Sequence, residues 1–104
     1  MIVEIFQVKK DIDAVHDIIF MDYQFVTKLV PDFINTFKNY YNKVYEYNEN
    51  TNLKDEDFLE EVFKKFNINR PDNFKGHSLS VSDIIILDND RIWYCDSFGF
   101  KEMK

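Results

Sequence analysis

Residues 84–95 read Ile84-Ile85-Ile86-Leu87-Asp88-Asn89-Asp90-Arg91-Ile92-Trp93-Tyr94-Cys95, and this stretch decides the fold class. Two apolar runs, rich in β-branched and aromatic residues, flank three short polar residues that favour a tight turn. That is the pattern of a β-hairpin. Upstream, Phe58, Leu59, Val62, Phe63 and Phe66 recur at helical spacing and form one stripe of a helix over Asp55–Phe66. Asp55, Glu56 and Asp57 crowd its first turn and Lys64 and Lys65 its last, which complements the helix dipole. Farther out, Ile2, Val3, Ile5, Phe6 and Val8 read as an opening strand. Tyr41, Val44, Tyr45 and Tyr47 read as another, rich in aromatics. Tyr23, Phe25, Val26, Leu29 and Val30 keep helical spacing up to Pro31, which disfavours the helical backbone of the residue before it. The run Asp17–Met21 fits a strand or a helix start. These elements predict one α+β domain over residues 1–104. It combines a small, mostly antiparallel sheet of four to five strands with two to three helices. In the expected packing, Val81 and Trp93 are buried against Phe58, Val62 and Phe66.

The chain has 104 residues, a formal charge of −6 and 45% hydrophobic residues, a globular rather than a disordered composition. No apolar run is long enough to span a membrane, and Met1-Ile2-Val3-Glu4 lacks the basic start of a secretory signal. Cys95 is the only cysteine, so no intrachain disulfide forms, and the expected compartment is the cytoplasm. The negative charge and two scattered arginines, Arg70 and Arg91, argue against direct nucleic-acid binding.

Chemistry-bearing residues are few. His16, His77 and Cys95 are the only His and Cys residues, fewer than the four ligands of a structural zinc site. Asp88-Asn89-Asp90 starts like a calcium loop, but Trp93 and Gly99 occupy the positions where that loop needs Gly and Glu. His77, Ser78, Ser80, Ser82 and Asp83 contain the residue types of a nucleophilic triad without a Gly-x-Ser-x-Gly elbow. The serines alternate with Leu79 and Val81, so their hydroxyls are expected to bond neighbouring backbone. Cys95, at the end of an apolar strand, is expected to behave as a small hydrophobe. No catalytic residue, metal or cofactor is expected.

Residues 74–100 combine a Ser-Leu-Ser-Val-Ser-Asp stretch, an apolar strand, a turn, an aromatic strand and an Asp-Ser-Phe-Gly-Phe ending. This segment resembles the signature of the YodL-like domain family. The upstream order is compatible: an opening strand, Phe20 to Tyr23, Val44 to Glu46, then the acidic helix. Residues 31–41 resemble an insertion or divergence. The resemblance implies a module of phages, plasmids and conjugative elements, with no enzymatic activity, in a family linked to interference with bacterial actin-like filaments. The heavy use of Ile, Asn, Lys, Tyr and Phe fits the AT-rich coding of a low-GC bacterium or its mobile elements.

Two candidate contact regions emerge. Between Tyr45 and Lys65 stand seven acids against three lysines, and the inward stripe pushes Glu56, Asp57, Glu60 and Glu61 toward solvent. Such a face steers a protein toward a basic partner, although an ordinary solvated helix has the same pattern. The second region is aromatic: Tyr40, Tyr41, Tyr45 and Tyr47 belong to a chain with 17% aromatics, heavy for so small a core. The expected function is a small acidic inhibitor that disables a host protein with a basic surface. A CRISPR nuclease, whose channel holds guide and target, is the most specific version. A modulator of the actin-like cytoskeleton and a passive adaptor module are the alternatives.

Overall fold

The computed structural model describes residues 1–10 and 18–104. Five strands form one sheet: β1 (Ile2–Val8), β2 (Tyr41–Asn48), β3 (Ile84–Leu87), β4 (Arg91–Cys95) and β5 (Phe100–Met103). Their spatial order is β2-β1-β3-β4-β5, and every neighbouring pair is antiparallel. The helices are α1 (Tyr23–Leu29), α2 (Phe33–Thr36) and α3 (Asp55–Ile68), with a 3₁₀ turn at Phe37–Asn39. The α+β class and the strand and helix numbers match the expectation from sequence.

Both faces of the sheet are covered, which explains why the central strand β3 is buried at all four positions. Successive strand residues point to opposite faces. Val3, Ile5, Ile85, Leu87 and Trp93 pack against Phe58, Leu59, Val62 and Phe66 of α3. On the other face, Phe6, Val8, Ile84, Ile86 and Tyr94 pack with Val26 of α1, Phe33 of α2 and Phe37. A four-residue strand with two covered faces reads as an unbroken apolar run, as Ile84–Leu87 does.

The hairpin turn between β3 and β4 places Asp88 and Asn89 at φ of 50° and 63°, the left-handed backbone of a type I′ turn. The turn also anchors neighbouring elements. Asp88 Oδ1 accepts from the Ile2 amide at 2.8 Å. Arg91 Nε donates to Asp55 Oδ2 at 2.6 Å, tying the hairpin to the start of α3. Asp22 caps α1 by accepting from the Phe25 amide at 2.8 Å, and α1 ends at Leu29, with Val30, the residue before Pro31, already out of the helical backbone.

Two expectations need correction. Val81 is only half-buried, and Leu79 takes the place beneath α3 beside Trp93. Val81 precedes Ser82, whose φ of 86° turns the chain sharply, so the Ser78–Ser82 alternation does not continue the strand that follows. Within the run 17–21, Ile18–Phe20 form a turn that buries Ile18, while Asp17 lies outside the described residues.

Candidate functional site

The segment that resembled a catalytic triad is a polar clasp. Ser82 donates its amide to the Cys95 carbonyl at 2.9 Å, and its own carbonyl accepts from the Tyr41 hydroxyl at 2.6 Å. Ser82 Oγ accepts from the amide of Phe20 at 3.0 Å, a partner 62 residues away rather than the neighbouring backbone expected. Asp83 is 1% exposed, and its Oδ2 accepts from Gln7 Nε2 at 3.1 Å and from the Ser80 amide at 3.0 Å. Burial pushes its carboxyl up to about 7, against the opposing pull of those two hydrogen bonds. The clasp thus joins β1, β2, β4 and the turn before α1.

Among the described residues, none of this segment's serine hydroxyls is hydrogen-bonded to His77. Burial first, then the negative charges of Asp83, Asp96 and Glu60, push the Cys95 thiol up to about 12, so the reactive thiolate is absent near neutral pH. His77 Nδ1 faces the Ser78 carbonyl at 2.7 Å. His16 lies outside the described residues. Among the described residues, no group of three or more His, Cys, Asp or Glu side chains is placed to hold a metal ion.

The acidic residues behave as the helical stripe requires. Glu56, Asp57, Glu60 and Glu61 are all exposed, while Phe58, Leu59, Val62 and Phe66 are buried beneath them. Asp55 differs, being committed to Arg91.

The aromatic candidates fare worse. Contrary to the expectation from sequence, Tyr41 is a core residue, 3% exposed, and is not available to a partner because it opposes Val8 on the inner face of β2 and spends its hydroxyl on Ser82. Tyr40 is half-buried against the same core. Tyr45 and Tyr47 are half-buried, each with its ring 5.6 Å from that of Phe66. Lys65 Nζ lies 4.5 Å from the Tyr47 ring centroid. These two tyrosines roof the core beside α3, and only their outer edges are available to a partner.

The structure adds a surface that the periodicity did not single out. Phe98 is 97% exposed at the turn between β4 and β5. Phe20, Phe25 and Met21 are 60%, 44% and 39% exposed at the start of α1. Asp96 Oδ1 accepts from the Tyr23 amide at 3.0 Å, and the Tyr94 hydroxyl donates to the Met21 carbonyl at 2.7 Å. These bonds hold the two apolar segments side by side. Asp22, Gln24, Asp96 and Ser97 line a shallow cleft at the foot of Phe98. Gly99, at φ 74°, permits the turn that projects this phenylalanine.

The YodL-like domain profile matches residues 2–104. This chain belongs to the YodL-like domain family. An uncharacterized protein of Acanthamoeba polyphaga mimivirus is 37% identical over 75 residues, covering 61% of this chain and 68% of the viral one. No solved structure matches. Among the described residues of this YodL-like domain, no helix is long and apolar enough to cross a membrane.

The signature of the YodL-like domain separates into two parts by burial. Leu79, Ser82, Asp83, Trp93, Tyr94 and Cys95 are buried, and their identities serve packing and the clasp. Phe98 serves neither, because its side chain is almost wholly in water. The sequence carried a signal for it: a large apolar residue beside Gly99 in a short turn has little chance of reaching a core.

Proposed function

We propose that this YodL-like domain is a non-catalytic inhibitor encoded by a mobile element, which binds and disables a host protein bearing a basic surface. A defence nuclease of the CRISPR type is the leading target, and the host cytoplasm is the expected compartment. The observation that carries this reading is the outer face of α3, where Glu56, Asp57, Glu60 and Glu61 are exposed together. Four acids within six positions repel one another modestly, which offsets much of the helix-dipole gain of Glu56 and Asp57, so the face adds little net stability and binding gives it a use. A basic, phosphate-binding channel is electrostatically complementary to it. The viral relative supports an origin in mobile elements.

The test is charge reversal. A Glu56→Lys, Glu60→Lys, Glu61→Lys variant should melt within a few degrees of the parent, the loss coming from Glu56 in the first turn, associate more slowly with its target and inhibit less. The loss should shrink as salt rises, since the screening length falls to ~8 Å at physiological ionic strength. A folded variant that inhibits like the parent at low salt refutes the acidic face as the contact.

A second reading is favoured by the patch around Phe98. Modulation of an actin-like filament predicts an apolar and polar contact with little salt sensitivity, and Phe20, Phe25 and Phe98 with Asp22 and Asp96 make such a surface. Phe98→Ala, at a solvent-exposed turn, should leave stability unchanged and abolish binding in this case alone.

A further inference from the structure

We propose that the cleft between the edge strand β2 and the segment 74–77 binds a small phosphate-bearing ligand. None of its described lining residues belongs to α3, and the inference is independent of the function proposed above.

The cleft has a volume of about 310 Å³ and is lined by Lys10, Lys75 and His77 together with Gln7 and Asn42. This is within the size range of small-molecule sites. In a chain of charge −6, none of the described residues lining it is a carboxylate. Its polar lining offers two ammonium groups, an imidazole and the side-chain amide of Asn42, with Gln7 committed to His77 and Asp83, and this donor set suits an oxyanion.

Backbone features shape this opening. Ile5 pairs with Tyr45 but Phe6 pairs with Lys43, so Val44 is an extra residue that bends the free edge of the sheet. Gly76 then lets the loop press onto β1: a Cβ there would stand 2.4 Å from Gln7 Oε1. Gln7, 3% exposed, grips His77 by both backbone groups. Its Oε1 accepts from the His77 amide at 3.1 Å, and its Nε2 donates to the His77 carbonyl at 2.8 Å.

Two groups lie against His77 Nδ1: the Ser78 carbonyl at 2.7 Å, which only accepts, and Gln7 Nε2 at 3.3 Å, which only donates. Gln7 spends its two amide hydrogens on the His77 carbonyl and Asp83, so the shorter contact with Ser78 decides and places a hydrogen on Nδ1 of the His77 ring. Nε2 has no partner among the described residues and is left for a ligand. Behind the cleft, the Asp83 carboxyl directs Oδ2 at Gln7 Nε2 and the Ser80 amide. A dianion exploits two lysines better than a monoanion, and the volume leaves room for a small organic body attached to the phosphate.

The experiment is a titration of isotope-labelled protein with inorganic phosphate and, separately, pyrophosphate at constant ionic strength, with acetate and chloride as controls. The signals read are the His77 ring and the Asn42 and Gln7 side-chain amides. Saturable shifts confined to these groups are expected with at least one phosphate probe and with neither control. Pyrophosphate binding tighter than phosphate would assign the site to a larger phosphorylated molecule rather than to the free ion. Lys75→Gln and Lys10→Gln alter exposed side chains, should fold normally and should each weaken binding about five- to tenfold. Lys28→Gln, on α1, should not. Linear shifts that never saturate, shifts equal to those with chloride, or unchanged affinity in both lysine variants would overturn the proposal.

Discussion

Asp83→Asn tests the clasp at its buried carboxyl. The carboxyl is raised from an ordinary 3.8 to about 7, chiefly by burial. The folded state therefore holds this proton more tightly than the unfolded chain. Stability contributed by this group falls as pH rises from about 4 to about 7, and above that the full cost of the buried charge remains. At ~1.4 kcal/mol per pH unit, the separation amounts to roughly 4 kcal/mol at pH 8 and less than half of that at pH 5. Relaxation around the carboxylate reduces such costs in real proteins, leaving about 2 kcal/mol at pH 8. An asparagine oxygen can replace Oδ2 as acceptor for Gln7 and the Ser80 amide, whereas its amide cannot ionise. The Asn variant should therefore melt higher than the parent at pH 8, by about 4–8 °C for each kcal/mol in a domain this size. The advantage should shrink steadily toward pH 5. Melting curves of both proteins across this range measure the difference directly, since all other titrating groups are shared. A difference that does not vary with pH, or that grows on acidification, would refute the assignment of a buried, reluctantly charged Asp83.

Further outcomes follow from the same packing. Trp93, 7% exposed beneath α3, should cost about 3–5 kcal/mol when changed to Ala in denaturant unfolding. Its indole nitrogen has no acceptor among the described residues, so Trp93→Phe should cost far less than Trp93→Ala; equal losses would show that the nitrogen is satisfied after all. The Cys95 thiol, raised to about 12 and buried, should resist iodoacetamide at pH 8 until the protein unfolds, as mass spectrometry can measure. Cys95→Ala should keep binding intact wherever it folds, and loss of binding by a folded variant would revive a thiol mechanism.

The elements themselves were legible because they rest on local rules. The stripe Phe58–Phe66 could only be a helix with an acidic outer face, and the structure exposes Glu56, Asp57, Glu60 and Glu61 accordingly. Asp88-Asn89-Asp90 could only be a tight turn, because short polar side chains tolerate the left-handed backbone seen there. Tertiary structure alone decided which aromatic residues stayed available. Periodicity assigns Tyr41 and Tyr45 to faces of a strand, but which faces are covered depends on helices brought back from elsewhere in the chain. Here both were covered, so Tyr41 went into the core and Tyr45 and Tyr47 became its roof. The same holds for the clasp: Ser82 meets Phe20 and Tyr41, and Asp83 meets Gln7, across 41 to 76 residues of sequence. A polar side chain carries no local mark of a partner that distant. Phe98 is the converse case, left in water because the turn it occupies points away from both cores.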